Sequence, residues 1–257
     1  MSKIGNSPLS VSQNFLTSAW VIDCALRRTS LKKQDQVVEI GAGKGHLTKK
    51  LGETCGLVWA LELDSGLCQK LRTKFADSPN IRVVCCDFLK WPLPRTPYRI
   101  FANIPFNRTT EILRRVTQAE HPPEEAWLVV EKGAAKRLLG QPAESTLSLL
   151  TKPLFQCDIC YSFRREDFHP APSVDAVLLH LRRKQVPDVP SEQMPQYRRF
   201  VTGCFQKQGY GLARRLTKRQ ISTALRLAHL PAALSEREMK YVQWLCLFRC
   251  YLQYGKK

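Results

Sequence analysis

Short apolar runs alternate with longer amphipathic stretches along most of this chain. Apolar runs at 37–41, 57–62, 81–86, 98–103, 126–131, 157–163 and 174–182 predict strands. Between the early runs, apolar residues recur at helical spacing near 18–28, 45–54, 64–76, 109–119 and 133–140. Strict alternation of strand and helix predicts parallel βαβ units in one α/β sheet. The last two runs are joined across Pro170 and Pro172 with no helix between them, which predicts an antiparallel hairpin at the end of the sheet.

The pattern changes after residue 183. Lys184-Gln185-Val186-Pro187-Asp188-Val189-Pro190 reads as a linker. Beyond it, Phe200, Val201, Cys204, Ala224, Leu225, Trp244, Leu247 and Phe248 fall at helical spacings. Gly209 and Gly211 break the first helix, and Ser235 and Glu238 are spaced as a capping box opening the last. We expect a domain over 1–183 and a small basic domain of about three helices over 184–257.

Charge sharpens that division. The 257 residues carry a net +18, of which residues 182–257 contribute +12. Such a tail predicts a polyanionic partner. Arg214, Arg215, Lys218 and Arg219 form a dense stripe, read either as an RNA phosphate grip or as a solvated helix face. Trp244 and Tyr251 read better as core than as base-stacking residues.

Only Cys157 and Cys160 of the ten cysteines form a C-x-x-C, with no second pair to complete a metal site. The five histidines are dispersed, so no metal is expected. His46, beside a glycine turn, lines the site at most. Cysteines in apolar runs fit a reducing compartment. With no signal-peptide core in residues 1–20, the expectation is a soluble, cytoplasmic protein without a membrane anchor.

The chemistry begins at Glu39-Ile40-Gly41-Ala42-Gly43-Lys44-Gly45. A strand, a turn with glycines at alternate positions and a helix start make a place where backbone passes close to a nucleotide-like ligand. S-adenosylmethionine, another nucleotide and a purely structural turn all fit the turn alone. Glu62, ending the next strand run, can accept from two ribose hydroxyls. Asp64 reads better as a helix cap. Asp87, after the third run, is either an acceptor for an adenine amino group or a strand-end cap.

Asn103-Ile104-Pro105-Phe106 closes the fourth strand run. An adenine amino nitrogen is a poor nucleophile because its lone pair is delocalised into the ring. Two acceptors holding its N–H groups draw it toward tetrahedral geometry. The Asn103 side-chain oxygen supplies one, and a main-chain carbonyl of the Ile104-Pro105 segment the other. Phe106 can then stack on a base swung out of its helix. A plain Asn-Pro turn with a core Phe is the structural alternative.

Together these segments resemble the ribosomal RNA adenine-N6 dimethyltransferase family. Gln13-Asn14-Phe15-Leu16, the glycine turn, Glu62, Asp87, Asn103–Phe106 and Phe168-His169-Pro170-Ala171-Pro172-Ser173-Val174-Asp175 follow that family's motifs in order and spacing. The resemblance covers about residues 10–182. It implies a Rossmann-like class I methyltransferase sheet of seven strands with a small C-terminal α-helical domain, and S-adenosylmethionine as cofactor. It also implies that Asn14, Leu16, Gly41, Gly43, Glu62, Asp87 and Asn103 bind the cofactor, and that Phe168 is a second wall for the target base. Read without it, Phe168 is a core residue and Asn14 a loop or cap residue.

Within the family, the chain is most similar to the Erm-type 23S rRNA enzymes of macrolide-lincosamide-streptogramin resistance. The Ile-Pro-Phe form of the motif, the basic segment 197–220 and the short tail carry that similarity. It implies action on one adenine of the peptidyl-transferase region; a monomer is expected, acting before full ribosome assembly because base flipping needs a loop that can open. Alternatives are a small-subunit rRNA dimethyltransferase of ribosome biogenesis, a DNA adenine methyltransferase, and a non-catalytic RNA-binding or transcription-factor module on the same fold. The late Phe-x-Pro-x-Pro-x-Val pattern weighs against the DNA enzyme.

Overall fold

The computed structural model describes residues 14–205, 211–232 and 235–255. Gln13 and Gly209, singled out above, lie outside the described residues. The chain divides into two compact units. One comprises residues up to Ala135 together with Cys157–Arg183, and the other Lys136–Gln156 together with the chain from Lys184 onward. The chain passes from the first unit to the second at 183/184. A single cut there nevertheless misassigns residues 136–156, which pack with the helical unit.

The first unit is built on a seven-stranded sheet. Its strands are β2 (Gln36–Ile40), β3 (Leu57–Glu62), β4 (Ile81–Cys85), β5 (Arg99–Asn103), β6 (Glu125–Glu131), β7 (Phe155–Ser162) and β9 (Ala176–Arg183), in the order β4-β3-β2-β5-β6-β9-β7. The neighbours from β4 to β6 are parallel, and β9 is antiparallel to β6. Phe163 donates its N–H to the Ala176 carbonyl, and Cys160 Sγ lies against the Leu178 carbonyl. One chain descends as the other rises, so β7 and β9 form the expected antiparallel hairpin. Val37, Val38, Ile100, Phe101 and Ala102 are fully buried, because helices cover both faces of the central strands.

The helices of this unit are α1 (Ala19–Leu26), α2 (His46–Thr54), α3 (Ser65–Lys74) and α4 (Thr109–Thr117). A further helix, α5 (Lys132–Leu138), follows β6 and spans the division at Ala135. Asp64 caps α3 by accepting from Leu67 N–H at 2.8 Å. A separate two-stranded sheet pairs β1 (Phe15–Leu16) antiparallel with β8 (Phe168–His169), so two segments 150 residues apart in the sequence meet through Leu16 and Phe168.

The second unit holds α6 (Thr146–Thr151), α7 (Met194–Cys204), α8 (Lys218–Leu227) and α9 (Tyr241–Tyr254). Leu149, Tyr197, Phe200, Trp244, Leu247 and Phe248 form its core. Trp244 is fully buried and Tyr251 packs 5.2 Å from the Phe200 ring, so both are core residues. The start proposed at Ser235 needs correction. Residues 235–238 form a turn whose Glu236 carboxylate accepts from Leu212 N–H, and α9 begins at Tyr241. Among the described residues no helix is long and apolar enough to cross a membrane.

Candidate active site

Parallel strands place the ends of β2, β3, β4 and β5 along one edge of the sheet, where the loops that follow can line a shared cavity. The turn after β2 holds Gly41, Gly43 and Gly45 at φ of +76°, +55° and +74°. Side chains rarely adopt that region, which explains glycine at all three. The surroundings differ. A Cβ on Gly43 would sit 2.7 Å from the Phe15 ring, whereas one on Gly41 would meet nothing within 4 Å. Gly43 has no room for a Cβ because β1 packs on it, whereas Gly41 is glycine for its φ alone and borders open space.

That space is a cavity of about 380 Å³ lined by Gly41, Glu62, Leu63, Asp87, Phe88 and Arg108, among others. The Glu62 carboxylate is only 3% exposed, yet it faces the cavity. One oxygen accepts from Leu63 and Asp64 N–H at 2.8 and 2.9 Å, and the other from Gly43 N–H at 2.7 Å. Glu62 therefore does two things the sequence did not reveal together. It ties the end of β3 to the glycine turn, and it keeps acceptor capacity toward the cavity.

Asp87 lies two residues beyond β4. Its Oδ1 accepts from Leu89 N–H at 2.9 Å, and Arg108 Nη1 is 3.9 Å from Oδ2. The strand-end cap and the cavity position are both real. Arg108 was not legible as a site residue, since nothing in the pattern brings it to Asp87 rather than to Glu111 alone.

Glu39, inside β2, is the other group that pattern analysis passed over. Burial pushes its carboxyl up to about 8, with the nearby Glu62 charge adding to the rise and Thr48 opposing it. Neither of its oxygens forms a full hydrogen bond among the described residues. The sequence signal was present: an acid between Val38 and Ile40 in a strand buried on both faces.

Asn103 ends β5, and its Nδ2 donates to the Asn14 carbonyl at 2.6 Å. Ile104 is buried and Pro105 opens a 3-10 turn over Phe106–Arg108. The Pro105 carbonyl accepts from Arg108 N–H. Pro105 borders the cavity with Gly41, Glu62 and Asp87, while Phe106 is half-buried against the main core. Leu16 and Phe168 are core residues. The Phe168 ring is 4% exposed and packs edge-on to Phe163 at 5.5 Å.

The basic stripe divides. Arg214, Lys218 and Arg219 are exposed, the last two in the first turn of α8. Arg215 is half-buried, its guanidinium 5.6 Å from the Tyr251 ring centre and Nη1 3.3 Å from the Tyr251 hydroxyl. It packs on Tyr251 of the helical core. Among the described residues no cluster of three or more His, Cys, Asp or Glu is placed to hold a metal.

Residues 6–249 match the family described as ribosomal RNA adenine dimethylase. A protein of Lysinibacillus sphaericus named rRNA adenine N-6-methyltransferase is 36% identical over 241 residues, covering 93% of this chain and 95% of that one. An Escherichia coli protein of the same name is 33% identical over 254 residues, covering 98% and 100%. The crystal structure of the 23S rRNA methyltransferase ErmE superposes with a TM-score of 0.81 at 30% identity, covering 93% of this chain and all of that one. The chain belongs to the ribosomal RNA adenine dimethylase family, and is an S-adenosylmethionine-dependent rRNA adenine-N6 methyltransferase.

Proposed function

We propose that this enzyme methylates an adenine of the peptidyl-transferase region of 23S rRNA, and so confers resistance to macrolides, lincosamides and streptogramin B. The observation that carries the 23S reading is the likeness to ErmE along nearly the whole chain. The Ile104-Pro105-Phe106 form of the motif and the basic tail support it.

S-adenosylmethionine fits the cavity chemistry, and when bound it supplies a methyl group already activated on sulfonium. Gly41 offers an unobstructed backbone edge, Glu62 accepts from the ribose hydroxyls, and Asp87 accepts from the adenine amino group. Asn14, Leu16 and Gly43 complete the floor through the β1 segment packed on the turn. The substrate amino group is held by Asn103 Oδ1 and by a main-chain carbonyl of the Ile104-Pro105 segment. Phe106 stacks on the extruded base, and Phe168, paired with Leu16, is the second wall for that base. No general base is required to activate the donor, so catalysis is positioning and electrostatics.

Arg214, Lys218 and Arg219 contact RNA phosphates. The substrate is RNA not yet fully assembled into a ribosome, because extruding a base needs a loop that can open. The protein works as a monomer in the cytoplasm, where its ten free thiols stay reduced. The test is drug susceptibility of a sensitive bacterium expressing the chain. Joint resistance to a macrolide and a lincosamide, abolished by Asn103→Ala, supports the reading. Unchanged susceptibility with methylated small-subunit RNA would move the enzyme to ribosome biogenesis.

A further inference from the structure

Helices α8 and α9 run antiparallel: Gln220 Nε2 donates to the Tyr254 carbonyl at 2.9 Å, and Cys246 Sγ approaches the Ala224 carbonyl at 3.5 Å. Between them lies an open groove of about 520 Å³ whose lining includes Arg219, Thr223, Leu227, Arg249, Cys250 and Tyr254. Among the described residues no acidic residue lines it. Neither guanidinium is in an ion pair among the described residues. Leu227 is 72% exposed and Tyr254 66%, at opposite ends of the groove.

We propose that this groove binds a single-stranded segment of the substrate RNA, one base stacking on Tyr254 while Arg219 and Arg249 take the flanking phosphates. Unpaired guanidinium groups beside an exposed aromatic ring are what a single strand needs, because phosphates demand cations and every base has a π-face. Thr223 and Gln253 can hydrogen-bond base edges. An amphipathic protein helix would satisfy Leu227 but leave the two arginines without carboxylates, unless it were itself acidic. RNA is the polyanion that the enzyme's activity brings to this chain. The proposal adds to the phosphate contacts of residues 214–219 a component that depends on the bases. It rests on RNA as the substrate, not on which rRNA is methylated.

The test is fluorescence anisotropy of the full chain with a labelled eight-nucleotide single-stranded RNA, compared with an abasic strand of equal length. Tyr254→Ala should weaken binding of the normal strand about tenfold at unchanged salt slope, the loss expected for one stacked base. It should leave the abasic strand unaffected, and Tyr254→Phe should bind as wild type. Arg249→Gln should reduce the salt slope by about 0.7 for both strands, one phosphate contact fewer. All these side chains are exposed, and thermal melting confirms that the variants fold. Wild-type binding in both Tyr254→Ala and Arg249→Gln would overturn the proposal, and is the result if the groove receives a protein. Equal loss of normal and abasic strands in Tyr254→Ala would overturn the stacking role.

Discussion

The side-chain amide of Asn103 donates to the main-chain carbonyl of Asn14 at 2.6 Å. A carbonyl only accepts, so Nδ2 must face it, and Oδ1 is left as the acceptor. The N-terminal segment thereby sets the orientation of the amide that we propose holds the substrate nitrogen. Asn103→Ala should cut single-turnover methyl transfer by about 100-fold or more, the scale of losing one preorganised partner of the reacting group. RNA affinity by filter binding should change little, because it rests on phosphate contacts elsewhere. Equal losses in both would contradict this role.

Glu62→Ala should weaken S-adenosylmethionine binding, since charge-assisted hydrogen bonds of about 1.5–3 kcal/mol each are lost. It should also lower the melting temperature of the unliganded protein, because the N–H groups of Gly43, Leu63 and Asp64 lose their acceptor. Calorimetry and thermal melting separate the two effects. Full stability with lost affinity would show that the three N–H groups find other partners.

The glycine turn gives a contrast. Gly41→Ala places a methyl group in open space at the cavity edge, with a backbone cost of about 1–2 kcal/mol. Gly43→Ala adds a collision with the Phe15 ring to a similar backbone cost. Gly41→Ala should therefore impair cofactor affinity more than stability, and Gly43→Ala should lose more stability of the two. A reversed order in denaturant melts and calorimetry would displace the cavity from Gly41.

Glu39 makes a pH prediction. Its folded pKa is near 8 against an ordinary 4.5, so between those values the folded state holds a proton that the unfolded state has released. Stability from this group falls as pH rises from about 4.5 to 8 and is level above. The total is at most on the order of 5 kcal/mol. Glu39→Gln cannot titrate, so its stability relative to wild type should rise across that window. Parallel pH–stability curves for the two proteins would refute a neutral Glu39.

The strands were legible because β2, β5 and β6 are buried on both faces, and such strands read as continuous apolar runs. Glu62 and Asp87 come to one cavity because strand ends in a parallel sheet converge. What escaped depends on contacts distant in sequence. Residues 136–156 look like a continuation of the first unit, yet Leu149 and Leu150 lie in the core built by Tyr197, Phe200 and Trp244. A truncation at 184 would uncover them, so the role of the basic tail is better tested by Lys218→Gln and Arg219→Gln in the whole chain. Arg215 shares the spacing of its basic neighbours, and only packing shows it folded onto Tyr251. Ser235 and Glu238 have capping-box spacing, but their turn serves Leu212 through Glu236.

Primer extension on rRNA from cells expressing the enzyme tests the central claim most directly. Dimethylation removes both N–H donors of an adenine amino group and blocks Watson–Crick pairing. Reverse transcription on 23S rRNA should stop beside one adenine of the peptidyl-transferase region, and the stop should vanish with Asn103→Ala. A stop confined to small-subunit rRNA, with 23S rRNA read through, would contradict the account.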